Sequence, residues 1–387
     1  MRSLALLLLA LAAVPVPALE LAWAVQLAAP GIDPYAKLTP VWAEGRVCAF
    51  AWDGHGACLD PADGRLLWHR DDLGRVGGGP AYADGDFFYG TREGAVIAWD
   101  EARRRLLWRA ELGSEILAPP VRAGDLLLVQ TLDDRLYALD LRDGAVVWTH
   151  ERSTPPLSLR GTAAPAVSDG LVFAGFSGGQ LVALRLEDGA LRWETAVAVP
   201  RGRSDLERMV DVDATPLPGE ALVYAGAFQG RLMAVLRDDG EVAWERRLSL
   251  YRALVDGDGA LYLSDAEGAV LRIDPHSGAT LWRQAALPAP ATGAPARVGG
   301  RLLVATRDGA LVALDPEDGR LLARIDHQTM ALGVNAYLAD PGHWESDDDI
   351  DLARLFRHET APAGLPLVKD GMVFQLFQDG LLAAFRP

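Results

Sequence analysis

One phrase recurs along the chain and restricts its fold more than any other feature. It runs from a glycine turn through an alternating strand to a second turn ending in Asp-Gly or its like, then three residues and a tryptophan. Seven copies are present. The clearest run from Asp308-Gly309 to Asp315 with Asp318-Gly319, from Glu267-Gly268 to Asp274 with Gly278 and Trp282, and from Asp134-Arg135 to Asp140 with Asp143-Gly144 and Trp148. The closing tryptophans Trp68, Trp108, Trp148, Trp193, Trp244 and Trp282 are 40, 40, 45, 51 and 38 residues apart, and Ala323 takes that place in the seventh copy. Strands of about five residues with period-two alternation, joined by glycine turns, make a four-stranded antiparallel sheet. A four-stranded unit of about 40 residues is a propeller blade. A tryptophan at one fixed place per blade packs between neighbouring sheets.

An eighth copy begins at Gln378-Asp379-Gly380 and stops at Pro387, one strand short, while Leu19 to Leu27, with Trp23, reads like the tryptophan-bearing outer strand. Pairing the two termini closes the ring and removes its open edges. The predicted fold is therefore all-β, an eight-bladed β-propeller of four-stranded antiparallel blades closed by its N- and C-terminal strands. Residues 1–18 read as a signal peptide, with Arg2, an apolar run from Leu4 to Val14 too short to span a bilayer, and small residues at Val16 and Ala18. Residues 19–387 then form a single propeller domain with an insertion at about 332–364.

Charge excludes some partners. Lys plus Arg total 37 against 53 Asp plus Glu, a net charge of −16, and the only lysines are Lys37 and Lys369. Such a chain repels phosphate backbones and anionic membrane surfaces, so no nucleic acid is expected. Export would permit a disulfide between Cys48 and Cys58. A loop of Gly54 and His55 places the thiols on opposite faces, and a longer loop pairing Cys58 with Trp52 separates them along the strand, so two buried free thiols are expected.

Catalytic motifs are absent on this reading. Gly175-Phe176-Ser177-Gly178-Gly179 matches a nucleophile elbow in letters, but a strand follows it where the elbow needs a helix, so Ser177 falls in a hairpin turn. The seven histidines are scattered singly without zinc spacing. No cofactor, metal or enzymatic activity is predicted.

Function is expected where the repeat is interrupted, since blade strands are committed to packing. Trp148 to Pro165 spans 17 residues, Trp193 to Pro216 spans 23 and Ala323 to Pro366 spans 43, against about a dozen elsewhere. The first carries Leu157-Ser158-Leu159-Arg160-Gly161 and the second Asp211-Val212-Asp213-Ala214-Thr215-Pro216. They belong to consecutive blades. Two leucines beside an arginine, flanked by carboxylates, suit an apolar anchor with a polar rim; equally, the leucines fold inward and Arg160 pairs with Asp211 or Asp213.

At these residues the chain resembles the BamB family, the propeller subunit of the machinery that assembles β-barrel proteins in the outer membrane of Gram-negative bacteria. The two segments look like the family's L-S-L-R-G and D-V-D-T-T-P motifs, and the blade repeat carries the resemblance over nearly the whole mature chain. It implies a non-enzymatic periplasmic scaffold. It also implies that Leu157, Leu159, Arg160, Asp211 and Asp213 contact the POTRA domains of the barrel-forming subunit, with unfolded outer-membrane proteins as further partners. Family members usually carry a lipid-anchored cysteine just after the signal. Val14 to Glu20 has none, so membrane association is expected through the partner.

Two other readings use the same residues differently. A quinone-dependent dehydrogenase shares the blade repeat, but such enzymes carry adjacent cysteines, whereas Cys48 and Cys58 are ten apart. A calcium or carbohydrate binding module would use Glu345, Asp347, Asp348, Asp349 and Asp351 in the long insertion, where the acids instead read as the start of a helix with Ile350, Leu352, Leu355 and Phe356 at helical spacing.

Overall fold

The computed structural model describes residues 19–337 and 360–386, apart from residues 30, 32, 156, 158–161, 202 and 251. Eight antiparallel sheets follow one another around a ring. The first blade runs from Val41–Ala43 to Leu66–Arg70, and the seventh from Ala296–Val298 to Leu321–Ile325. The eighth is shared between the termini. Glu20–Gln26 pairs antiparallel with Leu381–Arg386, so the predicted closure is present, and Val334–Tyr337 adds a parallel strand outside it. The expected signal peptide and the acidic helix of the insertion lie outside the described residues.

The tryptophans hold neighbouring blades together, as their fixed spacing predicts. The indole N–H of Trp148 donates to the Leu186 carbonyl of the next blade at 2.9 Å. Trp108, Trp193, Trp244, Trp282 and Trp23 make the same bond to Leu141, Arg237, Pro275, Pro316 and Pro61. A glycine of the next blade's turn lies flat on each of these rings. At Gly144 a Cβ would come within 2.5 Å of the Trp108 indole and φ is +73°, so the glycine of the recurring Asp-Gly is required by space and backbone alike. The exception is informative. Blade two has Arg104 at the glycine's place, with φ +52°, and Trp68 of the blade before it packs instead on Phe50 and Phe87. Every outer strand also carries a bulge beside the tryptophan, or beside Ala323 in blade seven, which raises the local twist.

The cysteines correct the expectation of free thiols: Cys48 and Cys58 form a disulfide, with Cα atoms 4.0 Å apart. The reason is the turn between the strands. It holds five residues, Ala51 to His55, closed by Ala51 N–H to the His55 carbonyl and Gly54 N–H to the Ala51 carbonyl, so Phe50 faces Gly56 and Cys48 faces Cys58 directly. Both cysteines are fully buried. A short cross-linked loop of this kind is worth about 2–3 kcal/mol through the unfolded chain. Cys48→Ala/Cys58→Ala is therefore expected to lower the unfolding free energy by about that much in guanidinium titration, and an unchanged midpoint would show that the bond contributes nothing.

Ser177 lies in a hairpin turn with Gly178 and Gly179, as expected. Strand Leu171–Phe176 ends before it, strand Gln180–Arg185 follows it, and Gly178 and Gly179 both have positive φ.

Candidate partner-binding surface

The connections from blade three to four and from blade four to five follow the outer strands Val146–Glu151 and Leu191–Ala196. Of the first, Leu157 is 43% exposed, while Leu159 and Arg160 lie outside the described residues. Its distal end turns inward, and Thr162 and Ala163 are buried.

The second connection opens with a short helix, Asp205–Arg208, fixed by a reciprocal cap. Ser204 Oγ accepts the Glu207 N–H at 3.2 Å, and Glu207 Oε2 accepts the N–H groups of Arg203 and Ser204. Those N–H groups hold the Glu207 carboxyl below its usual range. Ser204-Asp-Leu-Glu207 is a legible capping box that the sequence reading passed over.

Beyond the helix the chain dives into the propeller. Met209 to Ala214 are all buried, and Asp211 is 1% and Asp213 9% exposed. Asp211 bridges to Ser177 of blade four, and its Oδ1 accepts the Gly178 N–H at 3.0 Å. Val212 donates its N–H to the Phe176 carbonyl, and Phe228 donates its N–H to the Asp211 carbonyl. The approach is so close that a Cβ on Gly175 would lie 2.4 Å from Val212. Ser177 N–H in turn donates to Asp134 Oδ1 of blade three at 3.0 Å, and burial pushes that carboxyl up. The aspartates thus stitch blades three, four and five together below the loops.

Asp213 meets a residue that the repeat does not announce. Lys37 sits on the two-residue strand Lys37–Leu38, which pairs in parallel with Gly78–Gly79 inside blade two. Its ammonium reaches across to the next blades and donates to the Thr162 carbonyl at 2.5 Å and the Asp213 carbonyl at 3.3 Å. One lysine therefore ties both candidate loops to the N-terminal segment. The site is on the propeller axis, in a cavity of about 60 Å³ to which Lys37, Thr39, Pro119, Asp213, Thr215 and Arg252 contribute, room for a few waters. Burial pushes the Asp213 carboxyl up to about 7, against the pull of Lys37, and the nearby Asp211 and Asp134 add to the rise. Burial brings the Lys37 ammonium down to about 8, opposed by Asp213 and reinforced by Arg252. The sequence signal for Lys37 was its type: one of two lysines in a chain that otherwise uses arginine.

The structure brings His55 and His69 together, with ring centroids 5.8 Å apart, although they are 14 positions apart in sequence. Burial and the neighbouring His55 lower the His69 pKa. Among the described residues no three His, Cys, Asp or Glu side chains are grouped to hold a metal ion. No helix among them is long and apolar enough to cross a membrane. Glu345 and the acids from Asp347 to Asp351 lie outside the described residues.

Comparison with known proteins decides the family. A family model described as outer membrane protein assembly factor BamB matches residues 53–284 and 266–386. The chain belongs to the BamB family. The outer membrane protein assembly factor BamB of Nitrosomonas eutropha is 34% identical over 303 residues, which cover 78% of this chain and 73% of that protein. Among solved structures, BamB from Moraxella catarrhalis superposes with a TM-score of 0.78 at 22% identity, covering 95% of this chain and all of the other. A quinohemoprotein alcohol dehydrogenase from Comamonas testosteroni superposes with a TM-score of 0.68 at 13% identity, over 95% of this chain and 76% of that one, which shows the shared propeller fold.

Proposed function

We propose that this chain is a non-enzymatic scaffold of the outer-membrane protein assembly machinery, working in the periplasm at the inner face of the outer membrane. Residues 1–18 serve as its export signal, and it is held at the membrane through its partner. The observation that carries the reading is the family match, which runs from residue 53 to 386 and reaches part or all of every blade. The site supports it. The connections are anchored on the propeller by buried carboxylates, with Leu157 exposed at the surface. In this reading Leu157, Leu159 and Arg160 contact the POTRA domains of the barrel-forming subunit. Asp211 and Asp213, being buried, contribute by fixing the shape of the loops rather than by touching the partner.

The dehydrogenase reading fares worse on the axis. Pockets for ligands of cofactor size run to roughly 300 Å³ and more, whereas the axial cavity is about 60 Å³. The two cysteines, which adjacent pairing would require as neighbours in sequence, are instead linked across two strands.

A loop that only presents an anchor can lose it without unfolding. Leu157→Ala and Arg160→Ala are expected to keep the melting temperature and to weaken association with the POTRA fragment at least tenfold in titration calorimetry. Wild-type affinity in both folded variants would remove these loops from the interface.

A further inference from the structure

Beside the blade four-to-five connection lies an open groove of about 420 Å³ whose charge is opposite to that of the chain as a whole. Ala198, Val199 and Arg201 form one wall, Gln229 to Arg231 the floor, and Arg247 to Ser249 with Glu267 the other wall. Three guanidiniums and one carboxylate therefore line it, in a protein of net charge −16.

Internal pairing accounts for only one of these arginines, Arg231. Arg231 and Arg247 stand directly opposite each other in adjacent antiparallel strands, an arrangement of like charges that costs stability. Glu245 takes Arg231, at 2.5 Å. Among the described residues Arg247 and Arg201 have no carboxylate partner, and both are exposed.

The groove is also preformed. A Cβ on Gly230 would lie 2.7 Å from the Ala198 side chain, so the blades meet tightly at the floor. Gln229 donates its N–H to Ser249 Oγ, and Ala266 donates its N–H to the Ser249 carbonyl, which fixes the far wall. A rigid cradle with two uncommitted guanidinium forks suits carboxylates, which arginine binds in bidentate fashion.

We propose that this groove receives an acidic peptide segment of the protein that docks on the adjacent connection, with Arg201 and Arg247 as its carboxylate clamps. The inference rests on the proposed function for the identity of that protein alone. The charge complementarity comes from the groove itself. The overall negative charge of the chain repels acidic segments elsewhere, so this local reversal also supplies register. Continuity supports the same occupant, since Arg201 and the capped helix Asp205–Arg208 belong to one connection.

The test uses the mature chain and fluorescein-labelled octaglutamate, read by fluorescence anisotropy, with Arg201→Gln/Arg247→Gln set against Arg192→Gln/Arg307→Gln, two exposed arginines elsewhere. Binding at least tenfold weaker in the first pair and unchanged in the second is the expected result. Equal losses in both pairs, or no binding by the wild type, would overturn the groove. The same variants are then titrated with the POTRA fragment. A loss of at least fivefold confined to Arg201→Gln/Arg247→Gln supports the acidic segment as the partner's, and unchanged affinity overturns that assignment. If the fragment does not bind the wild type at all while octaglutamate still discriminates, the assembly reading fails and the groove's preference for acidic peptide stands.

Discussion

Deleting residues 19–28 is expected to lower the unfolding free energy by more than about 5 kcal/mol. The deleted strand is held on both edges, by Leu381–Arg386 antiparallel and by Val334–Tyr337 parallel, so its removal leaves two ladders unpaired. It also empties the interior. Trp23, Ala24, Val25 and Leu27 are essentially fully buried, and truncating a single buried tryptophan typically costs about 3–5 kcal/mol. The seam to blade one goes with it, because Trp23 donates to the Pro61 carbonyl and Gly64 rests on its ring. Guanidinium titration of the deletion and of Trp23→Ala measures the two losses. The deletion should exceed the point variant, since it removes the strand as well as the indole. An unchanged midpoint in the deletion would mean that the terminal blade does not hold the ring closed.

The blades and their closure were legible because each requirement leaves a residue behind. Every blade-joining tryptophan except Trp68 has a glycine under its indole, and the Asp-Gly or its like before the outer strand is that glycine seen in sequence. The terminal strand was legible from Trp23 for the same reason. What failed was register. Nothing in Trp52-Asp-Gly-His-Gly56 fixes how many residues the turn takes, and a five-residue loop in place of the two considered brings Cys48 opposite Cys58. The bulges beside the tryptophans escaped notice because a bulge changes pairing and not composition. At the site, the loop motifs were visible and their anchoring was not. Asp211 and Asp213 were read as surface or internal with equal weight, and only the dive of the backbone against Gly175 shows them inside. Lys37 lies outside the repeat, and its contacts are 125 and 176 residues away along the chain. No local pattern reports such a distance.

That lysine carries the second large effect. Replacing it by methionine keeps the length of the stem but removes the larger of the two cationic pulls on the Asp213 carboxyl and leaves Arg252 alone, so at neutral pH the variant folds with a proton on Asp213 that the unfolded chain has released. Lys37→Met is expected to lower stability by about 3 kcal/mol at neutral pH, and Lys37→Met/Asp213→Asn by distinctly less, because the amide needs no such proton. The pair also leaves a signature in pH. Between about 4 and 7 the folded chain holds a proton on Asp213 that the unfolded chain has released, so the stability of the wild type relative to the double variant falls as pH rises through that window. Between about 8 and 10.5 the folded chain has lost from Lys37 a proton that the unfolded chain keeps, and the relative stability rises again. The difference curve should therefore have its minimum between pH 7 and 8, on the order of 2 kcal/mol below its value at pH 5. Denaturant midpoints at pH 5, 7.5 and 9.5 give that curve, and a flat one, or one peaking near neutrality, would show that the two groups are not enclosed together. Because Lys37 holds the carbonyls of Thr162 and Asp213, its loss should also loosen both loops at once. Amide exchange in the isolated Lys37→Met protein is expected to speed up at residues 162–164 and 211–215 together, while the outer strands of blades six and seven keep their protection. Acceleration in one loop alone would mean that Lys37 serves a single blade rather than joining two.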